Sequence, residues 1–154
     1  NPGVPNSIFR FFADYPSLAI AGRLDKESEG LLLLSDDGKW IESICNPESE
    51  KEKEYLVKLN QKPSIEAIQQ FESGFEFRYK SHSKPCKCVL LEDGCLTIIL
   101  SEGKNRQIRR MWFKLGYLVQ ELCRIRVDRY TLGKLHAGDI SEFQIDSEIS
   151  DNLT

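Results

Sequence analysis

Asp25 is the first residue of the chain whose type and position could support chemistry. It lies in GRLDKESEGLLLLSDDG, residues 22–38, five positions before a glycine that leads into a run of four leucines. A carboxylate beside an apolar strand is partly desolvated, so its ionised form needs a positive group nearby. Such a carboxylate can act as a nucleophile, an acid or a base. The alternative is a turn residue paired with Arg23 or Lys26.

Tyr55 is the second candidate, because it lies in the alternating segment EYLVKLN, residues 54–60. Alternation places Tyr55, Val57 and Leu59 on one face of a strand. A tyrosine in this position is either a core residue with its hydroxyl at the rim or a flat platform on which a base stacks. Residue types alone leave both interpretations open.

The third candidate is the basic stretch SEGKNRQIRRM, residues 101–111. Its glycine and lysine lead into a predicted helix start, where free N–H groups and the helix dipole attract anions. Of Arg109 and Arg110, one could reach a buried acid while the other faces solvent or a phosphate. The spacing differs from that of a Walker loop. The stretch therefore predicts an anion-binding site of another kind.

Charge is distributed unevenly along the chain. The formal net charge of −3 excludes a globally basic nucleic-acid binder. Residues 25–54 hold ten acidic and four basic residues, a balance of −6, whereas residues 104–129 hold eight basic and two acidic residues, a balance of +6. A basic stripe on a mildly acidic protein indicates either a polyanionic partner that meets one face or a solvated charged face.

The five cysteines and the absence of long apolar runs bear on location. An odd cysteine count without signal-peptide features at the N-terminus predicts reduced thiols in the cytoplasm. Cys86, Cys88 and Cys95 could be imagined as metal ligands, but no CxxC pair is present, and buried thiols are the simpler interpretation. No apolar run reaches the ~18 residues of a membrane span, so we expect no membrane partner.

Periodicity and turn residues predict an α+β domain with a mixed, largely antiparallel central sheet flanked by helices. An aspartate of DDG, Ser64 and Asn105 are the expected N-caps of three helices, and DG at 93–94 predicts a hairpin turn. The predicted strands cover 30–35, 54–60, 87–92, 95–100, 117–132 and 138–145, and the predicted helices cover 39–45, 65–73 and 105–116.

Three motifs, in this order and at these separations, resemble one protein family. GRLDKESEGLLLLSDDG, KEKEYLVKL and EGKNRQIRRMWFKLGYLVQELCRIRV are similar to the signatures of the RsuA-type family of pseudouridine synthases. The resemblance runs from Ala21 to Phe143. Within the family the chain looks most like the RluB/RluE/RluF branch, and EKEYLV with KPCKCV favours the RluF type.

The resemblance implies an enzyme that isomerises uridine in RNA to pseudouridine without a cofactor or a metal. It implies that Asp25 is the nucleophile or the partner in base abstraction, and that Tyr55 stacks on the flipped uracil and assists proton removal. It further implies that Arg109 forms a salt bridge that keeps Asp25 ionised. The RNA-binding residues expected around this set are Arg23, Lys104, Asn105, Arg106, Arg110, Arg124 and Arg126.

The resemblance also implies partners and domain organisation. We expect large-subunit ribosomal RNA as the substrate, with transfer RNA as a second candidate, and a monomer. The chain reads as one catalytic domain, 1–154, without an S4-type RNA-binding domain. The family usually carries a KPxG strand segment upstream of GRLD, and NPGV at the start retains only part of it. We therefore expect the chain to begin inside the catalytic domain, without its first strand.

Two other functions remain open at this stage. One is a non-catalytic RNA-binding domain, which the joint presence of Asp25, Tyr55 and Arg109 disfavours. The other is a metal-dependent phosphoesterase that would use Asp25, Asp36 and Asp37 as ligands.

Overall fold

The computed structural model describes residues 8–145 of the 154, so the predicted remnant strand at NPGV lies outside the described residues. The strands are β1 Ala19–Ala21, β2 Glu29–Gly30, β3 Leu33–Ser35, β4 Lys53–Leu59, β5 Glu76–Arg78, β6 Ser81–His82, β7 Lys87–Leu90, β8 Leu96–Leu100, β9 Val119–Val127 and β10 Tyr130–Thr131. The helices are α1 Gly38–Cys45, α2 Ile65–Ser73 and α3 Gln107–Lys114, and short 3-10 turns cover Ile8–Phe12 and Pro47–Ser49.

The main sheet confirms the predicted α+β class. Five antiparallel strands follow the order β10-β9-β4-β8-β7, and β2 pairs in parallel with β9. The pairs β1–β3 and β5–β6 form two small antiparallel sheets of their own. The parallel pairing of β2 matters most for function, because it joins the segment that follows Asp25 to the longest strand of the sheet.

Two apolar clusters hold these layers together. The larger lies between the main sheet and helices α2 and α3, where the rings of Phe71 and Trp112 stack with centroids 4.5 Å apart. The smaller packs Trp40 and Ile44 of α1 against β1, β3 and Val127. Burying a large side chain contributes about 1.5–3 kcal/mol, so these clusters fix the strands and helices that carry the site.

Several predicted elements are confirmed. The Asp37 carboxylate accepts hydrogen bonds from the N–H groups of Lys39 and Trp40 at the start of α1. The Ser64 hydroxyl accepts from the N–H of Ala67 at the start of α2. The DG turn joins β7 to β8, with Gly94 in the left-handed region at a φ of 88°. These caps and this turn depend on hydrogen bonds between residues that are close in sequence, which is why the sequence predicts them.

The leucine run is not one central strand. Gly30 ends β2 at a φ of 114°, and the chain then enters β3, which pairs with β1 in a separate small sheet. The side chains of Leu31 and Leu33 are buried and that of Leu32 is half-buried. The run therefore passes from the main sheet to a second one, and burial explains why it is apolar on both faces.

Two further expectations were wrong. Asn105 does not cap α3, because the helix begins at Gln107 and Arg106 occupies the cap position with a left-handed φ of 51°. Residues 138–145 form no strand; instead the Phe143 ring contacts the rings of Trp40 and Tyr130. Side-chain contact rather than backbone pairing holds that segment. Across residues 8–145, the helices are too short and too polar to cross a membrane.

Candidate active site

A cleft of about 570 Å³ opens where the Asp25 segment, the main sheet and the start of α3 meet. We call it the central cleft. Residues from five parts of the chain line it: Ala21, Gly22, Arg23, Leu24, Asp25, Lys26, Ser28, Ile44, Cys45, Lys53, Tyr55, Leu100, Gly103, Lys104, Asn105, Arg106, Gln107, Ile108, Leu122, Arg124 and Val127. The structure therefore brings together residues that are up to about a hundred positions apart.

Asp25 lies in a tight turn between β1 and β2. Its carbonyl accepts a hydrogen bond from the N–H of Ser28 at 2.9 Å, and its side chain is half-buried at the cleft wall. Gly30 fixes the end of this segment, because a Cβ there would lie 2.2 Å from the Arg124 carbonyl oxygen. Only glycine allows so close an approach at this φ. Backbone contact thus sets the position of Asp25.

Arg124 ties the Asp25 segment to β9. Its side chain is only 3% exposed, and its Nε and Nη2 donate to the Leu31 carbonyl at 3.0 and 2.8 Å. Its Nη1 donates to the Arg23 carbonyl at 3.2 Å. The Leu31 N–H in turn donates to the Arg124 carbonyl at 2.7 Å. Arg124 was expected among the exposed RNA contacts, and this burial does not fit that expectation, because its donors are used internally.

Tyr55 lies directly opposite Arg124 in the β4–β9 pairing. Burial raises the pKa of the Tyr55 hydroxyl, while the charge and hydrogen bond of Arg124 act to lower it and the Asp25 carboxylate raises it further. Tyr55 therefore interacts electrostatically with both Asp25 and Arg124. The raised pKa keeps the hydroxyl neutral at physiological pH, which favours a stacking or donor role over that of a resting base.

Lys53 is a cleft residue that the sequence interpretation missed. It precedes Tyr55 by two residues on β4, so both side chains lie on the same face. Burial, together with the charge of Arg124, lowers the pKa of the Lys53 ammonium. Among residues 8–145 its ammonium has no hydrogen-bond or ion-pair partner, and it is thus available to an anion. The period-two spacing from Tyr55 was the signal that could have identified it.

The predicted basic entrance is partly assembled at the rim. Arg23, Lys104, Asn105 and Arg106 all line the central cleft. Arg106 pairs with the Glu27 carboxylate at 2.7 Å, which lowers the pKa of Glu27. A non-glycine residue in the left-handed region, such as Arg106, is uncommon and is found at functional sites.

A buried amide supports this rim from below. The Gln107 Oε1 accepts from the Lys104 N–H at 3.1 Å, and its Nε2 donates to the Glu102 carboxylate at 2.6 Å. The Gln107 N–H also donates to the Lys104 carbonyl. These bonds form a turn before α3 and explain why the helix begins later than Asn105. They hold the backbone of the expected anion site in a fixed shape.

The other three predicted residues lie elsewhere. Arg109 is outside the central cleft: its guanidinium donates to the carbonyls of Glu27, at 2.9 Å, and Val119, at 3.4 Å. The predicted Asp25–Arg109 salt bridge is not among the ion pairs of the described residues. Arg110 shares the surface of α3 with Arg109, and Arg126 pairs with Glu52 at 3.1 Å away from the cleft.

A family model described as RNA pseudouridylate synthase matches residues 7–113, which is more than half of the chain. The chain belongs to the RNA pseudouridylate synthase family. The matched range contains Asp25, Tyr55 and Arg109, and ends before Arg124.

Relatives and a solved structure agree with this family. The chain is 37% identical over 126 residues to a ribosomal small subunit pseudouridine synthase A of Yersinia pestis, covering 79% of this chain and 54% of the relative. It is 38% identical over 130 residues to a protein of the same name from Pasteurella multocida, covering 82% and 56%. A crystal structure of pseudouridylate synthase superimposes with a TM-score of 0.78 at 36% identity, covering 83% of this chain and 57% of that chain.

These pseudouridine synthases qualify the finer expectation from sequence. The chain spans about half the length of the curated relatives it matches. Those relatives carry small-subunit names, whereas the motifs were interpreted as those of the large-subunit RluB/RluE/RluF branch. The comparisons therefore establish the RNA pseudouridylate synthase family and do not support the large-subunit branch.

Metal-dependent chemistry finds no site in the part of the chain that the structure describes. Residues 8–145 contain no group of three or more His, Cys, Asp or Glu side chains that could hold a metal ion. Asp37 caps α1, and burial raises the pKa of the Cys86 and Cys88 thiols to about 12, as expected of unreactive buried cysteines. The phosphoesterase alternative therefore lacks its ligand cluster among these residues.

Proposed function

We propose that this chain isomerises a uridine of ribosomal RNA to pseudouridine, with the flipped nucleotide bound in the central cleft. One observation carries the proposal: Asp25, Tyr55 and Arg124 line one cleft with a basic rim, and Tyr55 lies directly opposite Arg124 in the β4–β9 pairing. A base inside folded RNA must leave its stack to be modified, and a flipped base needs an aromatic surface and electropositive contacts for its phosphates.

Asp25 is the proposed catalytic carboxylate. The reaction breaks the bond between the uracil nitrogen and the ribose carbon, and then forms a bond from that carbon to a ring carbon of uracil. The ring carbon loses its proton, and the released ring nitrogen gains one, so the product is an isomer of the substrate. A carboxylate could attack the ribose carbon or remove a proton, and both routes require Asp25 in its ionised form. The half-buried position of Asp25 at the cleft wall agrees with either route.

Tyr55 and Arg124 complete the proposed site. The neutral Tyr55 ring supplies a surface for the uracil, and stacking of this kind contributes about 1–3 kcal/mol per base. We propose Arg124, in place of Arg109, as the cation that offsets the negative charge of Asp25, because Arg124 lines the central cleft and Arg109 does not. Lys53 and the rim residues Arg23, Lys104 and Arg106 would contact phosphates.

The substrate is the finer part of the proposal. The names of the relatives support a uridine of small-subunit ribosomal RNA, in place of the large-subunit target that the motifs favoured. A ribosomal RNA substrate also agrees with the cytoplasmic location expected from the cysteines. Neither transfer RNA as a second substrate nor a monomeric state has further support.

The test is a direct assay of pseudouridine formation. Purified chain is incubated separately with small-subunit RNA, large-subunit RNA and transfer RNA transcripts, and pseudouridine is measured by mass spectrometry of nuclease digests. We expect product from wild type on small-subunit RNA and a loss of at least about 10³-fold in Asp25→Asn, as is typical when a catalytic group is removed.

Asp36→Asn is the matched control. Asp36 is an exposed acid that lies outside the cleft lining, so this variant should keep wild-type activity. Wild-type protein that is folded but inactive on all three RNAs would overturn the proposed function. Full activity of Asp25→Asn would overturn the role of Asp25, and product on large-subunit RNA alone would overturn the small-subunit assignment.

A further inference from the structure

A second cleft of about 490 Å³ lies along α3 beside the central cleft. We call it the α3 groove. It is lined by Phe77, Arg106, Arg109, Arg110, Phe113, Lys114, Tyr117, Leu118 and Val119. Four of these nine side chains are basic and none is acidic, so the lining of the groove carries an excess of positive charge. Apart from Arg106, none of these residues has a part in the proposed reaction.

The arginines of the groove have unused hydrogen-bond donors. The Nε atoms of Arg109 and Arg110 are buried and have no hydrogen-bond partner among the described residues. Arg110 makes one contact, from its Nη2 to the Asn105 carboxamide at 3.4 Å. Lys114 is exposed in the last turn of the helix. Neither Arg110 nor Lys114 forms an ion pair within residues 8–145, so their positive charge is available to an anionic occupant of the groove.

The apolar part of the groove is unusually open for an apolar surface. Phe113 is 69% exposed and Leu118 is 56% exposed, whereas Phe77 is buried below them. Tyr117 is held in place, because its hydroxyl accepts a hydrogen bond from the Ser64 N–H and its ring contacts Trp112 edge-on. Exposed aromatic rings beside basic side chains form the surface on which single-stranded bases stack while phosphates are neutralised.

The groove is continuous with the proposed active site through Arg106. Arg106 lines both clefts, and it is the one residue that they share. A strand whose uridine enters the central cleft would therefore pass Arg106 and continue along α3. An apolar peptide would leave the four basic side chains of the groove unpaired, so the charge favours RNA over such a peptide.

We propose that the α3 groove binds the single-stranded RNA next to the target uridine. Bases stack on Phe113, and the phosphates contact Arg110 and Lys114. This inference rests on the proposed function and extends it, because it makes the length and single-stranded character of the flanking RNA a determinant of substrate choice.

The test compares a short RNA with a long one. An oligonucleotide of about 5 nucleotides fills the central cleft only, whereas one of about 16 nucleotides also reaches the groove. We expect Phe113→Ala to weaken binding of the long RNA about five- to tenfold, with KM raised equally and kcat unchanged. The short RNA should bind Phe113→Ala and wild type alike.

The charge and ring contributions are separated by further variants. Arg110→Gln with Lys114→Gln should reduce the salt slope for the long RNA by about 1.4, since single strands give about 0.7 per phosphate. Phe113→Tyr should restore binding and Phe113→Leu should not. Tyr15→Ala, which replaces a tyrosine 58% exposed outside both clefts, and Lys134→Gln are the matched controls and should behave as wild type.

The outcomes separate this inference from the proposed function. If groove variants weaken the long RNA alone but no protein forms pseudouridine, the groove stands and the proposed function fails. If pseudouridine forms and the groove variants bind and convert both RNAs as wild type does, the groove proposal fails. Equal losses on short and long RNA would also overturn it, as would binding of the groove to an apolar peptide but not to RNA.

Discussion

The central cleft and the α3 groove lie side by side, yet they are constructed in opposite ways. In the central cleft the arginine opposite Tyr55 is buried. Arg124 is 3% exposed, and its guanidinium donates hydrogen bonds to the carbonyls of Leu31 and Arg23. In the groove the arginines keep unused Nε donors, and the ring of Phe113 is exposed to solvent.

This difference agrees with the two tasks proposed for the clefts. A site that orients reacting atoms must be fixed before the substrate arrives, because misplacement by about 1 Å can reduce the rate about 10²-fold. A surface that holds a flexible strand needs exposed rings and charges, and it tolerates variation in geometry. Changes to the central cleft should therefore affect kcat and stability together, whereas changes to the groove should affect affinity alone.

Gly30→Ala should give the largest effect. The added Cβ would lie 2.2 Å from a backbone carbonyl oxygen of Arg124, and neither backbone can move without breaking the β2–β9 pairing. We expect the free energy of unfolding to fall by about 3 kcal/mol or more and activity to fall at least about 10²-fold. Denaturant unfolding and the pseudouridine assay measure the two effects.

Gly94→Ala is the matched control for this change. Gly94 also has a left-handed φ, 88°, but nothing lies within 4 Å of an added Cβ. Gly94→Ala should lower the free energy of unfolding only by the backbone strain, about 1 kcal/mol, and should leave activity unchanged. Equal effects of the two variants would show that backbone contact at Gly30 does not fix the site.

Arg124→Met should come next. It leaves the carbonyls of Leu31 and Arg23 without their donors, so we expect a loss of about 3 kcal/mol in the free energy of unfolding and a fall of about 10²-fold in kcat. Arg126→Met, on the same strand with a partly exposed ion pair, should change the free energy of unfolding by less than about 1 kcal/mol. If Arg124→Met is stable and has a normal kcat, a residue other than Arg124 supplies the fixed positive charge of the central cleft.

Lys53 provides a pH-dependent test of the central cleft. Burial lowers the pKa of Lys53 below its value in the unfolded chain, so the unfolded state holds that proton to higher pH. This group therefore makes the free energy of unfolding rise as pH rises between the two pKa values. We expect the stability gain of Lys53→Met over wild type to shrink as pH approaches ~10.4.

Lys58→Met is the control for this pH dependence, because Lys58 is exposed on the same strand. Because Lys58 is exposed, its removal should change the free energy of unfolding less than the removal of Lys53 at every pH. Unfolding curves at several pH values from neutral upward measure both differences. Parallel curves for Lys53→Met and Lys58→Met would mean that Lys53 is solvated rather than buried at the cleft wall.

Glu27→Gln should give the smallest effect, and one of opposite sign. Arg106 lines both clefts and forms an ion pair with Glu27, so a phosphate must displace Glu27 to bind Arg106. Release of Arg106 should tighten RNA binding about two- to threefold, measured by fluorescence anisotropy. Glu29→Gln removes the same charge without freeing Arg106 and should give a smaller gain; equal gains would show that only net charge matters.

Sequence predicted those elements whose cause is local. The caps by Asp37 and Ser64 and the DG turn depend on neighbours within three residues, and the structure shows all of them. The strand carrying Tyr55 followed from period-two alternation, and Tyr55 lies on the predicted face. The family could be identified from the motifs, because their order and spacing are read directly from the sequence.

The remaining features depend on contacts that the linear chain does not display. The leucine run divides because Gly30 meets the backbone of Arg124, and α3 begins late because Gln107 bonds to Lys104. Arg109 and Arg124 are both arginines near apolar residues, so residue type alone could not tell which one lies in the cleft. The pairing of β2 with β9 decides between them.

The bond between Leu31 and Arg124 has a consequence for the order of events during synthesis. Its two residues are 93 positions apart, and loops of this length close slowly and late in folding. Since the chain leaves the ribosome from its N-terminal end, Asp25 and Tyr55 emerge well before Arg124 of β9. The nascent chain therefore cannot orient the Asp25 carboxylate until β9 has emerged. Synthesis of the chain must be nearly finished before the proposed site can act on RNA.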